Sequence, residues 1–103
     1  MTYTAIFTTI IPAPKQFYVD LGPQAVANAS IISAFRASQP GFISQTSEIV
    51  SSEVRKLTIV FDSKETYDAS TDALHLLPEY IHRTDYYIAL DIVTEIQIHE
   101  TGL

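Results

Sequence analysis

The chain has 103 residues, a net charge of −6 and no cysteine. This length fits a single domain, and a hydrophobic fraction of 47% is ordinary for a chain that folds around a core. The acidic balance argues against a nucleic-acid-binding protein, which carries a basic surface. The lack of cysteine excludes disulfides and thiolate chemistry and favours a reducing compartment. No stretch approaches the ~20 apolar residues of a membrane span. We expect one cytoplasmic domain over 1–103, with no nucleic-acid or membrane partner.

The first third of the chain predicts a strand and a helix. Tyr3 to Ile11 alternates β-branched and aromatic residues and ends at a proline, which is typical of a strand. A connector from Lys15 to Leu21 carries apolar residues and is expected to lie on the core. Gly22-Pro23 then opens a helix, because proline suits the first helical position, and the helix is expected to continue to about Ser38. Its predicted inner stripe consists of Ala25, Ala29, Ile32 and Phe35 (or Arg36), widened by Ile31.

The rest of the chain predicts a hairpin, a second helix and a long last strand. The pattern predicts two strands, from Phe42 to Val50 and from Arg55 to Phe61, which pair through a short turn. Asp62 is expected to cap the next helix, with Glu65 completing a capping box. Pro78 is expected to break or kink this helix, with one or two more turns from Glu79 to about Asp85. Tyr87 to Glu100 alternates apolar and polar residues and predicts the final strand.

The resulting order β-α-β-β-α-β predicts an α+β, ferredoxin-like fold, in which a four-stranded antiparallel sheet carries two helices on one face. Apolar residues occur on both sides of the predicted strands, so the other face of the sheet would expose apolar area. A symmetric partner sheet covers such a face. We therefore expect a homodimer that forms through the sheet faces; the alternative is a monomer with a modest apolar patch.

A Pro-Gly turn and a strand-to-helix junction resemble a known family. Gln39 to Ile43 contains the turn, and Leu57 to Tyr67 is a strand that ends in an aromatic residue, followed by an acidic and polar helix start. Together with the element order, these segments resemble the antibiotic biosynthesis monooxygenase-like family of dimeric α+β barrels. The resemblance implies a pocket between helices and sheet, near Phe61 and the second helix.

The chain departs from this family at the residues that carry its chemistry. Members that degrade haem use an Asn on the first strand, a Trp where Phe61 stands here, and a His on the second helix. The single Asn of this chain is Asn28, in the first predicted helix, and His75 lies further along the second helix than the haem ligand. The cofactor-independent, quinone-forming oxygenases also use Asn and Trp beside Tyr. Haem degradation is therefore disfavoured, and we expect no cofactor.

The three histidines are candidate metal ligands or bases, because histidine is the side chain whose unperturbed pKa lies near neutral pH. His75 and His82 would share a face of an unbroken helix, but Pro78 lies between them and no third ligand has recognisable spacing. We therefore predict no metal site. His82 and Asp85 are spaced to form a polar pair, and His99 is expected to be solvated. No nucleophile elbow or glycine-rich phosphate loop occurs.

Three functions remain open. The residues favour a binding protein that holds an apolar or amphipathic small molecule. The second hypothesis is a monooxygenase- or isomerase-like enzyme in which His75 or His82 acts as base and a Tyr as donor. The third is a structural or regulatory dimer without a ligand. The predicted pocket has an apolar lining and a few polar groups at one end: Phe7, Phe35, Ile59, Phe61 and Tyr67 form the lining, and His75, Tyr80 or His82 holds the polar end.

Overall fold

The structure is a computed structural model that describes residues 2–14 and 22–101, with the backbone but not the side chains of residues 22–26 and 101. The predicted connector from Lys15 to Leu21 lies outside the described residues. The elements are β1 (Thr2–Ile10), α1 (Gly22–Ala37), β2 (Phe42–Ile49), β3 (Val54–Phe61), α2 (Lys64–Leu74), α3 (Pro78–Ala89) and β4 (Val93–Thr101).

The four strands form one sheet in the order β2-β3-β1-β4, with every neighbouring pair antiparallel. This is the ferredoxin-like arrangement that the sequence predicts, including the β2–β3 hairpin. Tyr3 pairs with Phe61, and Ala5 lies between Ile59 and Ile98. Because directly paired residues point to the same face, the register assigns each strand residue to the helix-bearing face or to the opposite, open face.

The sheet carries three helices rather than two, and the last strand is shorter than predicted. Tyr87 to Ala89 belongs to α3, and β4 begins only at Val93. Tyr80, Arg83 and Tyr87 are spaced by three and four residues, and the guanidinium carbon of Arg83 lies 4.7 Å and 5.2 Å from the two ring centroids. These contacts stabilise a helix. Pro78 occupies the first turn of α3 and separates it from α2, so of the two predicted outcomes the break is confirmed and the kink is not.

The N-cap of α2 differs from the prediction by one residue. Ser63 has extended backbone angles, and its hydroxyl accepts a hydrogen bond of 3.2 Å from the backbone N–H of Thr66. The predicted cap, Asp62, accepts instead from the Thr66 hydroxyl at 2.6 Å. The capping box with Asp62 is therefore wrong, although Glu65 still places a negative charge in the first turn, where the helix dipole favours it.

The buried face of α1 is more polar than predicted. Asn28, Ile32 and Arg36 are spaced by four residues and are only 2%, 1% and 6% exposed. Phe35 is half-buried, whereas Ala29 and Ile31 are exposed, so the predicted stripe holds only in part. The polar residues find partners because α1 packs against α3 and β2. The side chain of Ala25 lies outside the described residues.

The core lies between the helices and the centre of the sheet. Its largest contributions come from β1, β3 and the helix residues above them, and its buried apolar members are Tyr3, Ala5, Ile11, Ile32, Ile59, Phe61 and Leu74. In the described part of the chain, no helix is both long and apolar enough to span a bilayer.

Candidate functional site

An aromatic cluster joins the end of β3 to α2. Phe61 is 1% exposed and meets Phe42 and Tyr67 edge to face, with ring centroids 5.7 Å and 5.8 Å apart. Tyr67 also contacts Tyr3 of β1 at 5.0 Å. Edge-to-face pairs stabilise beyond the area they bury. The structure therefore brings together two residues of the predicted pocket, Phe61 and Tyr67, and adds two that the sequence reasoning missed.

An apolar strip lies beside this cluster on the same face of the sheet. Phe7 of β1 pairs with Ile96 of β4, and Ala5 pairs with Ile98, so these residues share the helix-bearing face with the buried Tyr3 and Ala5. The helices pack over β2 and β3, and Ile96 and Ile98 remain 57% and 43% exposed. The helix-bearing face thus has an apolar region that the described residues leave partly open.

A buried cation lies on the other side of the cluster. Arg36 donates a hydrogen bond of 3.0 Å from Nη1 to the side-chain oxygen of Gln45, whose amide nitrogen donates to the carbonyl of Ser33 at 2.8 Å. Burial, followed by the charge of Arg83, lowers the pKa of Arg36 from its ordinary value to about 10. Arg36 is thus a buried guanidinium whose hydrogen-bond acceptor among the described residues is a neutral amide.

Arg83 is held by aromatic rings rather than by a carboxylate. It lies against Tyr80 and Tyr87 of its own helix, and its Nε is buried with no hydrogen-bond partner among the described residues. Within the described ranges, the structure shows no ion pair between an acidic side chain and either Arg36 or Arg83. The two arginines therefore lack a neighbouring acid within that part of the chain.

Tyr67 combines an aromatic contact surface with a half-buried hydroxyl. Burial raises the pKa of its phenol, while a hydrogen bond with Thr71 and the positive charge of Arg36 oppose that rise. Its ring packs on Tyr3 and Phe61, so one side chain has an apolar contact surface and a hydroxyl near a cation. A group of this kind orients an amphipathic molecule.

The predicted polar residues lie in two separate places. The rings of His75 and Tyr80 are 5.1 Å apart, and both line a shallow open groove of about 320 Å³ together with Ile81, Thr84 and Asp85. His82 instead accepts a hydrogen bond of 2.9 Å from the buried amide of Asn28, and does not pair with Asp85. Among the described residues, no group of three or more acidic or histidine side chains is arranged to hold a metal ion.

Comparison with solved structures identifies the arrangement of the elements. SnoaB from Streptomyces nogalater, a cofactor-independent oxygenase, superposes with a TM-score of 0.67 over 99% of this chain and 94% of its own, at 14% identity. A conserved protein from Methanosarcina mazei superposes with a TM-score of 0.70 over 99% of this chain and 94% of its own, at 12% identity. A candidate antibiotic biosynthesis monooxygenase from Nitrosomonas europaea superposes with a TM-score of 0.70 over 97% of this chain and 89% of its own, at 10% identity. The chain has the fold of the antibiotic biosynthesis monooxygenases. The amino-acid sequence matches no protein-family model and no curated protein.

Within this monooxygenase fold, sequence reasoning gave no site role to two buried polar residues of α1, although it named one of them, Arg36, as an alternative to Phe35 in the buried stripe. Asn28 and Arg36 lie one helical turn on either side of Ile32, which was correctly predicted as buried. The four-residue spacing from Ile32 was the signal in the sequence that could have identified both residues as buried, because residues four apart share a helix face. Arg83 was missed because α3 was predicted to end at about Asp85 and its ring contacts depend on a continuous helix.

Proposed function

We propose that the protein binds an apolar or amphipathic small molecule between its sheet and helices. The observation that supports this most strongly is the partly open strip of Phe7, Ile96 and Ile98 beside the aromatic cluster. Exposed apolar residues on a face otherwise covered by helices are typical of a ligand-binding surface. The cytoplasmic location predicted from the sequence is part of this proposal.

The predicted lining residues take different parts in this proposal. Ile59 and Phe61 form the buried floor, and Phe7 and Phe35 are half-buried. Tyr67 supplies a hydroxyl at the inner end of the site. His75 and Tyr80 line the groove between α2 and α3, where they are suited to hold a polar group near the entrance. The Nδ1 of His82 is already occupied by Asn28, so only its Nε2 remains for a ligand.

We further propose that the protein acts as a homodimer through the open face of the sheet. The register assigns Ile6, Val60 and Val93 to that face, and Val93 is 56% exposed. A second copy would cover these residues symmetrically. Thr58 lies at the centre of the same face, paired with Ile6 and Thr46, and is a suitable place to test the interface.

The alternative is an oxygenase- or isomerase-like enzyme that uses the same site. The similarity of the fold to SnoaB, a cofactor-independent oxygenase, favours this second candidate. His75, on the groove, would be the base and Tyr80 the donor, because their rings are in contact. If so, His75→Ala would abolish oxygen uptake with phenolic substrates without changing the fold. Uptake that survived both His75→Ala and His82→Ala would exclude the proposed bases.

Thermal unfolding with a panel of fatty acids, quinones and aromatic compounds tests the binding proposal. A compound that binds the folded state raises the melting temperature. We expect Ile96→Ser to lose this shift, and Ile88→Ser to keep it, because Ile88 is 70% exposed on α3 and lies away from the strip. If no compound moves the melting temperature of the unaltered protein, the binding proposal is wrong and the ligand-free dimer is favoured.

A further inference from the structure

The strand β4 lies at the edge of the sheet, and no described strand pairs with its outer side. The strand order is β2-β3-β1-β4, and all nine residues of β4 pair with β1 on the inner side without a shift of register. The backbone N–H and C=O groups that point away from β1 are therefore able to pair with another strand.

The features that usually keep a sheet edge from pairing are missing from β4. Such edges commonly carry a bulge, a proline or a lysine. The opposite edge strand, β2, has a shift of register between Phe42 and Ser44. By contrast, Val93–Thr101 contains no proline, glycine or lysine and pairs regularly along its whole length. Its apolar side chains Val93, Ile96 and Ile98 are exposed, so this edge is long, regular and apolar.

Symmetry restricts how two copies of β4 can pair with each other. When two antiparallel edge strands join two sheets into one, side chains that are directly opposed lie on the same face. Because successive residues of a strand alternate between the faces, the two-fold axis must pass through a residue rather than between two residues. Near the middle of β4, the possible centres are Ile96, Gln97 and Ile98.

The register centred on Gln97 matches residues on both faces of the sheet. On the helix-bearing face, it opposes Ile96 of one copy to Ile98 of the other. On the open face, it opposes Glu95 to His99, a carboxylate to a ring that donates a hydrogen bond. The two faces of these residues follow from their pairing with β1. Each match occurs twice by symmetry, and such cross-strand pairs stabilise a sheet.

The two neighbouring registers oppose unlike residues. A centre at Ile96 places Thr94 opposite Ile98, and a centre at Ile98 places Ile96 opposite Glu100. Each of these registers sets an isoleucine against a polar or charged group. In the register centred on Gln97, Glu100 instead faces Thr94. The side chains of β4 are therefore self-complementary about Gln97.

We propose that β4 pairs antiparallel with β4 of a second copy of this chain, centred on Gln97. The contact joins two four-stranded sheets edge to edge and brings Ile96 and Ile98 of both copies together on the helix-bearing face. It uses the sheet edge rather than the open face, so it links open-face dimers and does not depend on a ligand. One pair of strands is smaller than the interface of a stable complex, so we expect this contact at higher protein concentrations than the open-face dimer.

Cysteine cross-linking tests this register, because the chain has no cysteine of its own. Opposed residues of an antiparallel pair have Cα atoms about 4.5–5.5 Å apart, a separation that a disulfide spans. In Gln97→Cys the two thiols face each other across the axis, so we expect oxidation at high protein concentration to link most chains in pairs. Glu95→Cys is the control on the same strand and face. Its two thiols would lie roughly 13 Å apart along the strands, so linkage should stay at background.

Repeating both variants together with Thr58→Glu separates the edge contact from the open-face dimer. Thr58 lies at the centre of the open face, and a charge there is expected to prevent that dimer but not the pairing of β4. Linkage of Gln97→Cys that persists with Thr58→Glu would support the edge contact. If Gln97→Cys links no more than Glu95→Cys, the edge contact is wrong and the open-face dimer is unaffected. Linkage that Thr58→Glu abolishes would assign the contact to the open face and also overturn the proposal.

Discussion

The side-chain amide of Asn28 donates a hydrogen bond of 2.9 Å to Nδ1 of His82 and thereby links α1 to α3, 54 residues further along the chain. Because the ring nitrogen accepts this bond, the proton of the neutral imidazole is on Nε2. Asn28 is 2% exposed, so the donor is withdrawn from water. This contact sets the tautomer of a residue that the sequence suggested as a base or ligand contact.

Replacing Asn28 should destabilise the protein and change the state of His82. We expect Asn28→Ala to lower the free energy of unfolding by roughly 1–3 kcal/mol, since a buried hydrogen bond is lost. Nitrogen NMR of the unaltered protein should show His82 with an unprotonated Nδ1. Ser30→Ala, at an exposed neighbouring position, should change stability by less than about 0.5 kcal/mol. Equal effects of the two substitutions would contradict this assignment.

Gly41 is required by both its backbone angle and its neighbours. Its φ is +82°, and a Cβ there would lie 2.5 Å from the side-chain oxygens of Asp62 and Thr66. Gly41→Ala should therefore lower the free energy of unfolding by about 1–3 kcal/mol. Gly41→Asn should not recover the loss: asparagine tolerates this angle, but its Cβ meets the same atoms. Denaturant unfolding is the measurement, and an alanine variant as stable as the unaltered protein would contradict the account.

The phenol of Tyr67 should make stability depend on pH in the alkaline range. Burial raises its pKa above the ordinary value of 10.0, so the folded state holds the proton more tightly than the unfolded state. The resulting stabilisation is complete below pH 10 and is lost as the pH rises through the raised pKa. Tyr67→Phe should flatten this part of the curve of unfolding free energy against pH. An unchanged slope in the phenylalanine variant would show that Tyr67 does not contribute.

A charge on the open face of the sheet should disrupt the proposed dimer. Thr58 lies at the centre of that face, so Thr58→Glu would bring two like charges together across a symmetric interface. We expect sedimentation to report a monomer for this variant. Ala69→Glu, at an exposed position on α2, adds the same charge away from the face and should remain dimeric. If Thr58→Glu and the unaltered protein sediment alike, the open face is not the interface.

The architecture was largely predictable because strand alternation and turn residues are local signals. Proline and glycine after the first helix, and the alternation of Leu57, Ile59 and Phe61, placed the hairpin correctly. The boundary between α3 and β4 was not predictable in this way. The residues from Tyr87 onward fit an alternating pattern as well as a helical one, and the contacts of Arg83 with two tyrosines decide in favour of the helix.

The site was predictable only for its apolar part. Phe61 and Tyr67 were identified because they flank the strand-to-helix junction. Arg36 was named only as an alternative to Phe35 in the helix stripe, since a charged residue is seldom buried. Its burial depends on Gln45, which lies on another element. A buried polar group depends on partners distant in sequence, and a pattern within one helix cannot identify them.

Native mass spectrometry of the freshly purified protein tests the central claim most directly. The account predicts a dimer that carries the extra mass of a small organic molecule, which disappears when the protein is denatured. The mass of that molecule would identify the ligand class. A monomer without added mass, which also bound no compound of the panel, would contradict both the dimer and the binding function.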